Sequence, residues 1–243
     1  MKDAKELVDL VLNAHGGRKR WDLLNTVTIQ VSIKGITWPR KGYPDSLNDI
    51  KFKANLHAPF DTWSPMFAPD QKAAFNGTDV AILKNSGEVV EEMENARDSF
   101  AGHELLTPWS RLQLVYFVGY ATWNYMNTPF MFAKPGFHFL EMDAWEENGE
   151  TWRRLQVIFP DYLPTHSTRQ VFYFSEDGLL KRHDYWPEVL GNNSAVHYYS
   201  DYKQFNGIKA PTTHHIYPLN DADNTAMKDI LLVSLDIASM QYE

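Results

Sequence analysis

Nine histidines are spread over 243 residues, and five of them fall between positions 166 and 218. There His166, His183, His197, His214 and His215 are interleaved with Tyr185, Tyr198, Tyr199, Tyr202 and Tyr217, and with Asp184 and Asp201. Imidazole titrates near neutrality and can take or give a proton, a neighbouring carboxylate fixes its tautomer, and a phenol can donate to a developing oxyanion. Such a set supports proton transfer on a bound small molecule without a cofactor: isomerisation, elimination, cyclisation or hydration. His166, His183, Tyr185, His197, Tyr199 and His214 are the candidate catalytic residues. No metal is expected. His214 and His215 are neighbours on opposite faces of a strand, no HxH, HxxxH or HExxH spacing occurs, and cysteine is absent. GxGxxG, the phosphate-binding GxxxxGK pattern and GxSxG are missing too, so no cofactor is expected.

These residues need strands to position them. Runs rich in Val, Ile, Tyr, Phe and Thr alternate with turn signals at Glu176-Asp177-Gly178, Gly191-Asn192-Asn193 and Asn206-Gly207, which predicts a meander of about four strands. With Asn206-Gly207 as a two-residue type I′ hairpin, Phe205 opposes Ile208, Asp201 opposes Thr212, Tyr199 opposes His214 and His197 opposes Ile216. His197, Tyr199 and His214 then share one face, and Tyr198, Tyr202, His215 and Tyr217 the other. One of the two must look inward. His183 and Tyr185 share a face with Asp184 opposite, and Thr165-His166-Ser167 is expected at the start of a strand.

The rest of the chain supplies the support. Apolar spacings of three and four predict a helix over 3–14, stopped by Gly16-Gly17 and followed by a short helical turn over 18–24. Residues 27–35 and 49–57 alternate as strands, with a turn region over 38–43 between them. The span 58–70 holds Pro59, Pro65 and Pro69 and reads as too proline-rich for a central strand. Residues 71–76 and 80–84 form a hairpin, and the acidic span 88–98 a solvent-facing connection. Thr107 as N-cap with Pro108 at the first helical position predicts a helix running to Asn127. That helix is apolar nearly all round, so it must be buried on several sides or face a cavity, with Gly119 leaving room at its middle. Tyr116, Tyr120 and Trp123 from this helix, with Phe172 from the meander, are the candidate substrate-binding residues. Strands over 137–145 and 151–159 meet at Asn148-Gly149, and 230–237 is the last strand.

Composition narrows the partners. With 31 acids against 23 bases the net charge is −8, and Arg18-Lys19-Arg20 is the one basic run, so no nucleic-acid partner is expected. No apolar run is long enough for a spanning helix or an export signal, which predicts a cytoplasmic protein without stable membrane insertion. The 8 Trp, 12 Tyr and 14 Phe suit a core and also an apolar cleft, so the expected partner is a hydrophobic small molecule. Nothing in the sequence specifies an oligomeric state.

The order of elements resembles the lipoprotein-localisation family, the LolA/LolB-like fold. The likeness rests on the N-terminal helix ending in Gly16-Gly17, the alternating strand over 27–35, Gly178-Leu179-Leu180, and the strand–turn–strand from Tyr202 through Phe205-Asn206-Gly207-Ile208 to Thr212. It covers residues 1–35 and roughly 150–240. The resemblance implies a mainly β fold with α: a single curved antiparallel sheet, an open or half β-barrel, with helices plugging a hydrophobic cavity. The whole chain, 1–243, would form one such domain. Lacking cysteine and an export leader, and carrying a bulkier aromatic helix, the chain is expected to keep the cavity without the lipoprotein-trafficking role. Two functions follow as expectations. One is a cofactor-independent acid–base enzyme of isomerase, lyase or cyclase type acting on a hydrophobic or aromatic molecule. The alternative is a non-catalytic carrier or sensor of a lipid-like ligand.

Overall fold

A computed structural model describes residues 4–243. Met1, Lys2 and Asp3, the last of which belongs to the predicted first helix, lie outside the described residues. Among the described residues there are four α-helices: α1 (Ala4–Ala14), α2 (Arg18–Trp21), α3 (Thr37–Lys41) and α4 (Arg111–Asn127). The strands of the first half are β1 (Thr26–Lys34), β2 (Ile50–Asn55), β3 (Asp61–Ser64), β4 (Gln71–Phe75), β5 (Val80–Lys84) and β6 (Val89–Met93). Those of the second are β7 (His138–Glu147), β8 (Glu150–Ile158), β9 (Arg169–Phe174), β10 (Leu180–Tyr185), β11 (Ala195–Phe205), β12 (Ile208–Asn220), β13 (Thr225–Ala226) and β14 (Val233–Tyr242).

All fourteen strands belong to one antiparallel sheet, ordered β6-β5-β4-β3-β2-β1-β14-β12-β11-β10-β9-β8-β7, with β13 attached to β12. Two meanders run outward from the middle, and the C-terminal β14 joins them by pairing with both β1 and β12. β6 and β7 are unpaired on their outer sides, so the sheet is curved but not closed into a barrel. The connection between these two edges carries α4, sixteen of whose seventeen residues are buried. Buried on every side, it has no face to offer water, and the sheet wraps it. The predicted room at Gly119 is filled: a Cβ there would lie 2.9 Å from Phe75 Cβ and Cγ, so the missing side chain lets α4 touch β4.

The expected alternation holds along β1 and β2, where Val27, Ile29, Val31 and Ile33, then Ile50, Phe52 and Ala54, point into the core. Four local expectations are corrected. The span 58–70 does contain an interior strand, β3, because Pro59 and Pro65 flank it and remove no ladder N–H; its Asp61 and Trp63 are buried. The acidic connection 88–98 holds β6, whose Glu91 and Glu92 charge an edge strand against further pairing. Residues 37–41 coil into α3, which Gly42 ends with φ 97°. Finally, α4 begins at Ser110 rather than Thr107: Ser110 Oγ accepts from the Gln113 N–H at 3.2 Å and Gln113 Oε1 accepts from the Ser110 N–H at 2.8 Å, a reciprocal cap that outcompetes Thr-Pro.

Candidate functional site

The second meander carries the histidines as expected. Asn206 and Gly207 take φ of 48° and 87°, and Phe205–Ile208, Tyr199–His214 and His197–Ile216 are opposed. The Asp201–Thr212 pair is missing. Asp201 takes φ 53°, its carboxylate accepts from the Thr213 hydroxyl at 2.9 Å, and the strand resumes with Tyr202 packed inward, its hydroxyl donating to Leu180 O at 2.6 Å. Before that break the face bearing His197, Tyr199 and His214 is the inner one. Tyr198, His215 and Tyr217 face outward and are partly exposed.

On β10, His183 sits directly opposite His197 and Phe172, which brings the inner residues of four strands, β9 to β12, into one cluster. His166 joins it from the loop before β9 rather than from a strand. Its Nδ1 lies 3.0 Å from the Tyr120 hydroxyl and its Nε2 2.8 Å from that of Tyr125, so α4 grips both ring nitrogens. Tyr125 continues to the Tyr185 hydroxyl at 3.2 Å, and the His166 and Tyr185 rings stack 4.2 Å apart. His183 Nε2 bonds to Gln170 Oε1 at 2.6 Å, and its Nδ1 lies 3.4 Å from the Tyr199 hydroxyl. His197 Nε2 and His214 Nδ1 are 3.0 Å apart, which requires one ring to donate to the other. Their remaining nitrogens, His197 Nδ1 and His214 Nε2, are buried without a partner.

Burial governs the protonation of this cluster. It lowers His166 to about 3, with the Arg97 guanidinium adding to the effect, and lowers His214 to about 3 against the pull of the Pro211 carbonyl. His183 and His197 are pushed well below the ordinary imidazole range, again by burial first and by neighbouring histidines second. The Tyr120, Tyr125 and Tyr199 phenols move well above theirs for the same reason. At neutral pH the cluster is an uncharged hydrogen-bonded network.

All six candidate catalytic residues therefore converge, but not on open space. An apolar cavity of about 420 Å³ lies beside them, between α3, the 105–107 loop, α4, the inner ends of β10 to β12, and residues 227–233. Phe117, Leu190, Ile216, Leu219, Leu232 and Val233 supply much of its wall. Phe117, Tyr185, Ile216 and Val233 also line a smaller 40 Å³ recess that reaches Tyr125. Tyr185 alone among the six touches the larger cavity. The four candidate substrate-binding residues sit elsewhere. Tyr120 holds His166, and Phe172 stacks on His183 at 4.0 Å. Trp123 donates to Asn55 O at 2.7 Å, tying α4 to β2. Tyr116 borders a separate polar hollow of about 280 Å³ where Arg97 donates to Thr165 O at 3.0 Å and to Glu188 at 2.5 Å. Among the described residues no group of histidine and carboxylate side chains could hold a metal, and no helix is long and apolar enough to cross a membrane.

Sequence reasoning missed Gln170, Tyr125 and Lys41. Gln170 was detectable, since it shares the strand parity of Phe172. Tyr125 was visible only as another aromatic of an all-apolar helix, and Lys41, which lines the cavity, had no local signal.

No protein-family model matches the chain, and no curated protein does. Solved structures do. A DUF1329 family protein from Desulfovibrio piger superposes with a TM-score of 0.56 at 13% identity, over 98% of this chain and 92% of that one. A domain described as outer membrane lipoprotein-sorting, from Vibrio parahaemolyticus, gives 0.55 at 10% identity over 99% and 94%. A LolA superfamily protein from Nitrosomonas europaea gives 0.55 at 11% identity over 100% and 94%. The shared architecture is an open, curved antiparallel sheet with a few helices. The chain has a LolA-like fold.

Proposed function

We propose that this protein binds and carries a hydrophobic small molecule in the cavity beside α4. The observation that carries this reading is the cavity itself: about 420 Å³, walled mainly by aliphatic and aromatic side chains, and within the size range of ligand pockets. The fold supports it, since one structural neighbour is described as lipoprotein-sorting. So does the protonation of the neighbouring cluster, because four of the six candidate acid–base residues are imidazoles kept neutral and off the cavity wall, behind Tyr185. A direct test places a large side chain in the space. Ala195 is buried in the wall opposite Tyr185 on the neighbouring strand, and Ala195→Trp should weaken binding of an apolar fluorescent probe at least tenfold while the circular dichroism spectrum is retained. Undiminished probe binding by a folded A195W protein rejects the cavity as the site.

A second reading, proton transfer on the bound molecule, has one foothold. The Tyr185 hydroxyl leads through Tyr125 to His166 Nε2, a relay from the cavity wall to an imidazole. Ligand recovered chemically altered from wild type but unaltered from Tyr185→Phe would support it, and ligand recovered unaltered from wild type would exclude it.

A further inference from the structure

The cavity is apolar but not neutral. Lys41, at the end of α3, is buried on its wall. Its Nζ donates to Leu105 O at 2.9 Å and to Thr107 O at 2.8 Å, and lies 4.6 Å from the centre of the Trp109 ring. An ammonium has three N–H donors, so one remains. No carboxylate pairs with this ammonium among the described residues, although a buried cation without a counter-ion is costly. Arg40 adds a second positive charge at the exposed mouth. Among the described residues the one acid on the wall is Asp221, whose carboxylate accepts from the Ser194 hydroxyl at 2.8 Å. Two cations and one anion leave an excess of one positive charge around a space whose remaining wall is mostly apolar, with Thr37, Asn193, Ser194 and the Tyr185 hydroxyl as its uncharged polar groups.

We infer that the cavity takes a single-chain amphiphile with a carboxylate head, its alkyl chain running inward toward Phe117, Tyr185 and Ile216 and its head held by Lys41 with Arg40 at the mouth. The inference rests on the carrier reading and names the ligand class. A carboxylate supplies the absent counter-ion and accepts the third N–H. A monoanion matches the excess charge, whereas a neutral ester of the same chain would leave Lys41 as it is.

The test compares dodecanoate with methyl dodecanoate by displacement of an apolar fluorescent probe from the whole protein. At pH 7 dodecanoate should bind at least tenfold more tightly, and Lys41→Met should bring the ratio of the two affinities to about one. Because Lys41 also holds the 105–107 loop, a second measurement leaves the protein unmutated. Burial lowers Lys41 to about 8, so the free protein loses this charge above that pH and dodecanoate affinity should fall toward tenfold per pH unit, while methyl dodecanoate affinity stays level. His103, close enough to be lowered by Lys41 after burial, is neutral throughout that range; Arg40 and Asp221 are the other charged groups of the wall. Equal affinities for acid and ester, or parallel pH profiles, would overturn the headgroup assignment while leaving the carrier reading in place. Displacement by neither compound from protein that binds the probe would overturn the amphiphile assignment, and failure of the probe itself to bind would overturn the carrier reading with it.

Discussion

The buried imidazoles make acid stability a quantitative test of the site. Burial lowers His214 from the ordinary imidazole value near 6.5, which the unfolded chain keeps, to about 3 in the folded protein. A histidine whose folded value is lowered contributes stability that is complete above about pH 6.5 and is lost as pH falls toward 3, because over that interval the unfolded chain binds the proton that the folded one refuses. At pH 5 the unfolded imidazole gains one and a half pH units of protonation that the folded ring lacks, which is about 2 kcal/mol for this residue. His166, also lowered to about 3, contributes a similar amount, and His183 and His197 act in the same direction. Against a typical total stability of roughly 5–15 kcal/mol, the cluster alone should bring the protein close to unfolding between pH 5 and 4.

Other groups titrate as well. Asp61 and Asp184, raised by burial, act with the opposite sign, and His15, lowered to about 4, with the same one. The comparison must therefore be differential. His214→Gln keeps a hydrogen-bonding side chain next to His197 but cannot take the proton. Urea unfolding at pH 7, 6 and 5 should show wild type losing about 2 kcal/mol more than the variant over this range, with the excess appearing below pH 6.5. Parallel stability profiles would mean that His214 is either exposed to water or already charged in the native state, and the account of a neutral inner network would fail.

Three further substitutions test the frame around the site. Gly119→Ala pushes a methyl group against Phe75 and should cost about 1–3 kcal/mol, seen as a lowered thermal midpoint that Phe75→Leu partly restores. Arg182 is fully buried on the outer face of β10, bidentate to Asp184 at 2.7 and 2.9 Å and bonded to Glu147 at 2.8 Å. Arg182→Met strands the buried Asp184 carboxylate and should cost about 3–5 kcal/mol in urea unfolding, with part regained on adding Asp184→Asn. Ser110→Ala removes one arm of the cap at the start of α4 and should cost about 0.5–2 kcal/mol by the same measurement.

The turns were legible because they demand unusual backbone angles. Asn148-Gly149 and Asn206-Gly207 take positive φ at both positions, which few other residue pairs tolerate, and each turn fixed the register of a long hairpin. From that register the shared face of His197, Tyr199 and His214 followed, and with it most of the inner network. β3 was illegible because a four-residue strand between prolines carries too few residues to establish a period. His166 had no period either. It lies on a loop, and only the placement of α4 brings Tyr120 and Tyr125 to its two nitrogens. The cavity was hidden for a similar reason: its wall draws on α3, the 105–107 loop and residues 227–233, segments that meet only through long-range packing.

The network has a consequence for α4 that hydrophobicity alone could not produce. An amphipathic helix is oriented by its apolar stripe, but α4 is buried all round, so burial is nearly indifferent to rotation about its axis. Its polar atoms are not indifferent. Tyr120 and Tyr125 clasp His166, Asn124 Nδ2 donates to Pro164 O at 2.8 Å, Trp123 Nε1 to Asn55 O at 2.7 Å, and Gln113 Nε2 to Ser99 O at 2.8 Å. Turning the helix by one residue would break these together, at about 1–3 kcal/mol for each buried group left unpaired. The clasp on His166, with these amide and indole bonds, thus selects one rotation among several that bury the same apolar area. That rotation sets Phe117 and Tyr125 where the cavity and its recess end, so the residues that first suggested chemistry also define the shape of the space a ligand would fill.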